Sequence, residues 1–447
     1  MSEYLETYRR RTPGSAALYE RARKVMPGGV SHNPRFYPPY PIYIDRAEGS
    51  KIRDVDGNEY IDLWMGHFTH ILGHKPEPVA SVLGETAEVG SHWGILTPWQ
   101  VEFAEDICRL VPSAEALRFG VSGTEATMHA LRIARAHTGR RVVLKVRGGW
   151  HGSNNDLVTL VHHPMDVPES AGLPPQTAEF TKGINFNDPE GTVAAIQRYA
   201  PDLAAVVIEA VGQYFVPPVP GYLETVQAET RKAGAVFILD EVITGFRLAL
   251  GGAQARYGLR PDLMTMGKVL GAGSALGLVA GRRDLMALTD PTSGRPKDQI
   301  ALIGGGTFSG MLPAMRGGRA LLRYLEAHQD EIYPALEEKG RRVREGVEAA
   351  MRAHGVAVKC FGVGSLYSVS FPRDDRPVND CESIEAYTDV AFRNGEFKAR
   401  MLNHGIFTQW GGGAVSMAHS DADLDHIIHA SGEVAAEMAA GLKAAGR

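Results

Sequence analysis

The sequence predicts an α/β protein, with a large domain built on a mostly parallel sheet flanked by helices and a smaller α+β domain beside it. Three observations carry that expectation. Five short runs, LRFGVS, RVVLKV, AAVVIEA, AVFILDE and DLMTMG, are apolar and rich in β-branched residues, and helix-length segments or connections separate them. That is the pattern of strands buried on both faces. At 447 residues the chain is also too long for one simple core, so it divides. Finally, residues 314–350 look helical nearly throughout, 356–371 and 405–418 look like strands, and 421–442 like a terminal helix. These make a second, smaller unit.

In chain order, the first 70 residues are rich in Pro and Gly. Their IYIDRAEGSKIRDVDGNEYIDL reads as a meander of short strands with turns at AEGS and DVDGNE, which joins the smaller unit. The segment TEATMHALRIARAH, 124–137, places Ala126, Ala130, Ile133 and Ala134 on one face, so it is a helix packed on the sheet. We therefore divide the chain into an N-terminal segment, 1–74, belonging to the small domain; a large domain, 75–325; and the C-terminal part of the small domain, 326–447.

Composition narrows the function classes. Hydrophobic residues are 44%, charged residues 22%, and the net charge is −5. There is no basic footprint for nucleic acid or an anionic membrane, and small-molecule chemistry is the default. The opening MSEYLETYRRRTPGS has basic residues without an apolar run after them, and no stretch reaches membrane-spanning length; a cytoplasmic location is expected. Cys108, Cys360 and Cys381 lack C-x-x-C spacing, which argues against a disulfide framework and a zinc site and leaves them reduced and structural. No metal is expected.

The chemistry concentrates at strand ends. In LMTMGKVLGAGS, Lys268 sits in an apolar, glycine-rich run without an acidic neighbour. It is either a solvated turn residue or a lysine in a dry pocket whose lowered pKa frees its amine for attack on a carbonyl. In VSGTEAT, Ser122 and Glu125 have capping-box spacing, and Ser122, Gly123 and Thr124 equally suit an anion cradle at a helix N-terminus. Asp240 and Glu241 end a wholly apolar strand, at the edge where open α/β sheets bind ligands. For Asp240 three roles compete: a helix N-cap, an ion pair with Arg247, or contact with a protonated ring nitrogen. Lys268 ends the next strand, so Asp240 and Lys268 can face one crevice. Trp150 in RGGWHGS is a loop anchor or a stacking face, and His151 alone reads as a hydrogen-bonding loop residue. Glu209, ending AAVVIEA, reads as a partner to a loop amide. GGGTFSG, with Thr307 and Ser309, is either a phosphate-binding turn or a flexible connection.

VSGTEAT, WHG, VVIEA, LDEVITGFRLALGGAQARYGLRPDL, MGK and GGTFSG, in that order and spacing, resemble the class III aminotransferases of pyridoxal phosphate fold type I. The resemblance covers nearly the whole chain, and DEVITGFRLALGGAQ is similar to the glutamate-1-semialdehyde aminomutase branch. The opening TYRRRTPGSAALYERARKVMPGGV and the segment EAVGQYFVPPVPG also resemble D-phenylglycine and β-amino-acid aminotransferases of that branch. The resemblance implies a seven-stranded sheet in a large domain that binds pyridoxal 5'-phosphate, with the small domain formed by both termini. It implies that Lys268 forms the Schiff base, Asp240 pairs with the pyridine nitrogen and Trp150 stacks on the ring. It further implies that Ser122, Gly123 and Thr124 hold the phosphate, with His151, Glu209 and Val242 also at the cofactor. Thr307 would reach the phosphate of the neighbouring subunit, making a homodimer with sites at the interface, and Arg35 would clamp a substrate carboxylate.

The expected activity is amino transfer from an amino acid or amine to an oxo acid by a ping-pong mechanism. Aminomutase or racemase chemistry on the same scaffold is the alternative, and a catalytically silent binding protein is the reading from another class. Departures from the family pattern bear on the choice. Aminomutases of this branch carry a glutamate in the C-terminal strand region, where this chain has Trp410, Gly411, Gly412, Gly413 and Ala414. Trp150 stands where tyrosine is usual, and GAGSALG and GMLPAM replace GGGLPVG and SGNP. Trp64, Phe68, Trp150 and Trp410 hint at an aromatic-friendly site.

Overall fold

The computed structural model describes residues 2–165, 167–174, 176 and 179–444. The chain forms two units. One comprises Met1–Pro76, Pro334–Pro377 and Tyr387–Arg447; the other comprises Glu77–Tyr333 and Val378–Ala386.

The first unit opens with an antiparallel meander: β1 (Ile44–Glu48), β2 (Lys51–Asp54) and β3 (Glu59–Asp62). Asp54 organises the turn between β2 and β3 by accepting the amides of Asp56 and Asn58 and the Tyr60 hydroxyl.

The second unit is built on a seven-stranded sheet of β4 (Ala116–Gly120), β5 (Val142–Val146), β6 (Thr181–Ile184), β7 (Leu203–Glu209), β8 (Val236–Glu241), β9 (Leu263–Gly267) and β10 (Gly277–Gly281). Their order is β4-β10-β9-β8-β7-β5-β6. Only β10 runs against its neighbours, so the sheet is mostly parallel, as the apolar runs predict. β5, β7, β8 and β9 are buried along their whole length, which is why they read as continuous apolar segments rather than alternating ones. β6 and β10 escape the sequence pattern because TKGI and GLVAG are short and weakened by glycine. The helix Gly123–Thr138 buries Ala126, Ala130, Ile133 and Ala134, the last three in the same core cluster as Val143, Val207, Ile238 and Leu263. It ends at Gly139, whose φ of 67° supplies the left-handed cap.

The helical stretch expected over 314–350 is two helices, Leu312–Ala327 and Gln329–Ala353, divided at His328. The C-terminal strands expected over 356–371 and 405–418 are shorter: β11 (Lys359–Phe361), β12 (Leu366–Ser370), β13 (Ile406–Phe407) and β14 (Gly412–Ala414). β13 joins the N-terminal meander in parallel with β3, while β14 pairs with β12. The expected terminal helix is Asp421–Ala444. A core of Leu63, Val343, Val347, Tyr367, Val369, Ile406 and Leu424 ties the three segments of this unit together. After β3, Met65, Gly66, His67 and Phe68 all have positive φ, 44° to 67°. Such a left-handed turn costs about 1–2 kcal/mol for each residue other than glycine. Asp62 offsets part of this by accepting the amides of Trp64 and Met65 and pairing with His74 at 2.7 Å. Among the described residues, no helix is long and apolar enough to cross a membrane.

Candidate active site

Three adjacent parallel strands bring the acids and the lysine to one edge. Glu209 closes β7 and stands opposite Asp240 of β8; Asp240 in turn stands opposite Thr265 of β9, and Lys268 follows β9 directly. Asp240 is buried, and both its oxygens are occupied. Oδ2 pairs with His151 Nδ1 at 2.7 Å, while Oδ1 accepts from the Thr265 hydroxyl at 2.9 Å and from the Val242 amide at 3.0 Å. Burial alone raises an acid's pKa, but here the bond from His151 and its positive field, with Val242 and Thr265, outweigh burial and hold Asp240 below the usual carboxylate range. An ionised Asp240 can only accept, so Nδ1 of His151 carries the proton. His151 Nε2 is buried and lacks a hydrogen-bond partner among the described residues.

Glu209 is treated differently by its surroundings. Burial, with the Asp240 charge adding to it and His151 opposing, pushes its carboxyl up to about 7. It accepts the Trp150 amide at 3.3 Å and is bridged by Gln213 Nε2 at 3.3 Å from each oxygen. The loop-amide role read from sequence is thus present, alongside a proximity to Asp240 that sequence alone does not show. Two acids on neighbouring strands are split, one kept ionised and one raised toward neutrality. Glu241, the third acid here, points elsewhere: its oxygens take Thr244, Ala253 and Gln254 and pin the stretch that follows β8.

Lys268 has φ 45°, a left-handed conformation that costs a non-glycine residue about 1–2 kcal/mol. Its neighbour Gly267 has no room for a side chain, since a Cβ there would come within 2.9 Å of the Leu276 carbonyl oxygen. Burial lowers the Lys268 pKa below that of an ordinary lysine; Arg247 adds to the lowering, and Asp240 and Glu209 oppose it. The amine is therefore biased toward the unprotonated, nucleophilic form, the second of the roles weighed from sequence.

At the start of the helix Gly123–Thr138, Ser122 is the N-cap and accepts the Glu125 amide at 3.2 Å; Glu125 reaches back to the Val121 amide at 2.8 Å. The capping arrangement and the cradle coexist. Gly123 lies so close to Val242 that a Cβ would meet its methyls at 3.0 Å, so the turn is bare backbone where amides of a helix N-terminus favour an anion. Thr124 accepts the Ser153 amide, and Thr127 donates to the His151 carbonyl oxygen at 2.7 Å. Trp150 is 41% exposed, leaving a ring face open.

Sequence reading missed the residue that holds this loop. Lys145, inside β5, is fully buried and donates to the carbonyl oxygens of Gly149, Leu157 and Thr159 at 2.8, 3.1 and 2.7 Å. The only local signal is a lysine within RVVLKV. Burial lowers its pKa to about 8. The folded state then binds this proton less tightly than the unfolded state, so stability from this group rises with pH between about 8 and the unfolded value near 10.4. Lys145→Met should abolish that rise in thermal melts and lower stability by about 1–3 kcal/mol by leaving buried carbonyls unpaired.

Thr307 is exposed and lines a groove of about 1090 Å³ with Trp93, Leu96, Leu302 and Ser309; Lys268, Asp240 and Trp150 do not line it. Arg35 belongs to the other unit, where its Nη1 donates to Ser31 Oγ at 2.7 Å and it lines a separate cavity of about 490 Å³.

A family model described as aminotransferase class-III matches residues 33–420. The chain belongs to the class-III aminotransferases. The glutamate-1-semialdehyde 2,1-aminomutase of Methanosarcina acetivorans is 35% identical over 424 residues, spanning 93% of this chain and 97% of that protein. Among solved structures, an omega-transaminase from Sphaerobacter thermophilus is similar with a TM-score of 0.87 and 31% identity, covering 97% of this chain and 99% of that one. A beta-phenylalanine aminotransferase from Variovorax paradoxus is similar with a TM-score of 0.83 and 31% identity, covering 99% and 97%. This class-III aminotransferase is a pyridoxal-phosphate-dependent enzyme of fold type I. The residues present fit that cofactor. A bare glycine turn at a helix N-terminus suits a phosphate, an acid held ionised suits a protonated ring nitrogen, an open tryptophan face suits a flat ring, and a lysine with lowered pKa suits an aldehyde.

Proposed function

We propose that this class-III aminotransferase is a transaminase that moves an amino group from an amino acid or amine to an oxo acid in a ping-pong cycle, with glutamate-1-semialdehyde aminomutase or racemase chemistry as the alternative. The observation that carries the choice is the hairpin turn after Gln409. Trp410 and Gly411, with φ of 52° and 70°, place a tryptophan 5.0 Å from Trp64, ring centre to ring centre, in the region where the aminomutases carry a glutamate. An indole, unlike a glutamate, offers no negative charge and no acceptor oxygen to the amino groups of a diamine. The omega-transaminase and beta-phenylalanine aminotransferase named above support the same reading.

Pyridoxal phosphate, when bound, supplies an electrophilic carbon and a ring that stabilises negative charge next to the substrate nitrogen. In our reading Ser122, Gly123 and Thr124 hold its phosphate and Trp150 covers its ring. Asp240, kept ionised by His151, Thr265 and Val242, holds a proton on the ring nitrogen. Lys268 would hold the cofactor and, as the free amine, would move the proton from the substrate Cα to the cofactor's electrophilic carbon, acting as general base and then general acid. Arg35 binds the substrate carboxylate through its planar fork. Arg35→Ala should raise KM about 10- to 100-fold for donors with a carboxylate, since hydrogen bonds to charged groups contribute about 1.5–3 kcal/mol. Equal losses for donors with and without that group would reject the role.

We place the enzyme in the cytoplasm as a homodimer whose partner supplies Thr307. Support comes from the groove that Thr307 lines, where Leu96 is 89% and Leu302 71% exposed beside Trp93; so large an apolar exposure fits a subunit interface. Light scattering should give twice the chain mass, and Thr307→Ala should weaken cofactor retention. Incubation with glutamate-1-semialdehyde alone separates the reactions: internal amino transfer without an oxo acid acceptor would establish the aminomutase instead.

A further inference from the structure

In the unit that holds Arg35, Lys398 is 1% exposed, and the carboxylate nearest in effect, Asp62, acts on it only through its field. Its Nζ donates to Gln409 Oε1 and lies 3.6 Å from the centre of the Tyr37 ring and 4.7 Å from that of Phe407. The amide of Gln409 continues the line, with Nε2 donating to the Pro34 carbonyl oxygen. Pro34 is the middle of the turn Asn33–Arg35, closed by the Phe36 amide bonding to the Asn33 carbonyl at 3.0 Å. Gln409 is itself anchored: its amide and carbonyl both bond to Gly412 across the turn at Trp410 and Gly411, at 3.2 and 3.0 Å.

We propose that Lys398 and Gln409 are positioning residues that aim the Arg35 guanidinium at the substrate carboxylate. This rests on the reading of Arg35 as the clamp. A buried ammonium without a bonded carboxylate costs more than an apolar residue of the same size, so its retention calls for a directional reason. Burial holds the Lys398 amine well below an ordinary lysine's pKa, but in either state of that amine the Pro34 backbone carbonyl only accepts. Between Lys398 and Pro34 the Gln409 amide therefore has one orientation, oxygen inward and nitrogen outward. The two rings over Nζ leave the charge stabilised by their faces and direct its hydrogen bond along the line to Pro34. The result is a rigid path from a core cation to the turn that carries Arg35, in the wall of the 490 Å³ cavity that Arg35, Pro34 and Gln409 line together.

Two variants test the path at different links. Lys398→Met removes the cation. Gln409→Glu keeps Lys398 paired, so the core stays folded, but it cannot donate to the Pro34 carbonyl. For each, with Arg35→Ala and Lys398→Arg as references, kcat and KM are measured for the amino acid turned over fastest and for the amine it would give on losing its carboxylate. Hydrogen exchange is read at the amides of Arg35 and Phe36. Both variants are expected to exchange at least tenfold faster at those amides and to raise KM at least fivefold for the amino acid alone, with kcat within twofold and partial recovery in Lys398→Arg. Unchanged exchange overturns the proposal, and so does faster exchange with unchanged KM when Arg35→Ala is selective. If Arg35→Ala is itself unselective, the clamp reading fails and the proposed aiming falls with it; faster exchange would then show only a structural brace.

Discussion

Lys268→Ala is expected to lose at least about 10³-fold in turnover while melting within a few degrees of the parent enzyme. General acid–base catalysis alone contributes about 10²–10⁴-fold, and here the same amine also serves as the nucleophile. The loss is not a stability effect. Lys268 occupies a left-handed backbone position whose cost alanine, with its Cβ, leaves unchanged, and burial disfavours the charge that the substitution removes. Steady-state rates with any accepted donor, set beside thermal melts, check this. A variant that melts normally and retains a tenth of the activity would remove Lys268 from the mechanism. Added methylamine, as a substitute base, should recover part of the rate if the missing function is proton transfer.

Asp240→Asn is expected to lower kcat by about 10²–10³-fold, the scale seen when one preorganised electrostatic partner is removed. The geometry explains why so conservative a change costs so much. Asp240 offers two acceptor oxygens to three donors, His151, Val242 and Thr265. An asparagine offers one. If its oxygen turns to His151, its amine meets the Val242 N–H; if it turns the other way, its amine meets His151 Nδ1, and the ring must carry its proton on Nε2 instead. In both cases the fixed negative charge is gone. His151→Phe should give a smaller loss, because Asp240 keeps two of its donors, and should raise the Asp240 pKa, moving the acid limb of the pH–rate profile upward. An Asp240→Asn enzyme as active as the parent would show that ring-nitrogen protonation does not limit the reaction.

The candidate site was legible in sequence to the extent that its members end apolar strands. Glu209, Asp240 and Lys268 stand out because a charged residue closing an all-apolar run has few structural uses, and parallel strands put their carboxyl ends on one edge. The Ser122–Glu125 spacing likewise announced a helix start, and the helix is there. Lys145 was not legible. A lysine inside β5 reads as a flaw in an apolar pattern until the loop 149–159 folds back and sets three carbonyls against it. The strands β6 and β10 were missed because glycine and short length dilute the apolar signal, and the break at His328 because both flanking helices carry the same periodicity.

The sequence by itself determined the alternation of strand and helix, the edge at which charge accumulates, and the order of motifs that marks a class-III aminotransferase. These depend on neighbours within a few residues. Which acid is ionised, which nitrogen of His151 bears a proton and which lysine braces a loop were decided only in three dimensions. A pKa or a hydrogen bond is set by whatever lies within a few ångströms, and the partner that controls Asp240 lies 89 residues away along the chain. Folding, rather than local propensity, brings that histidine to the carboxylate and so sets its charge.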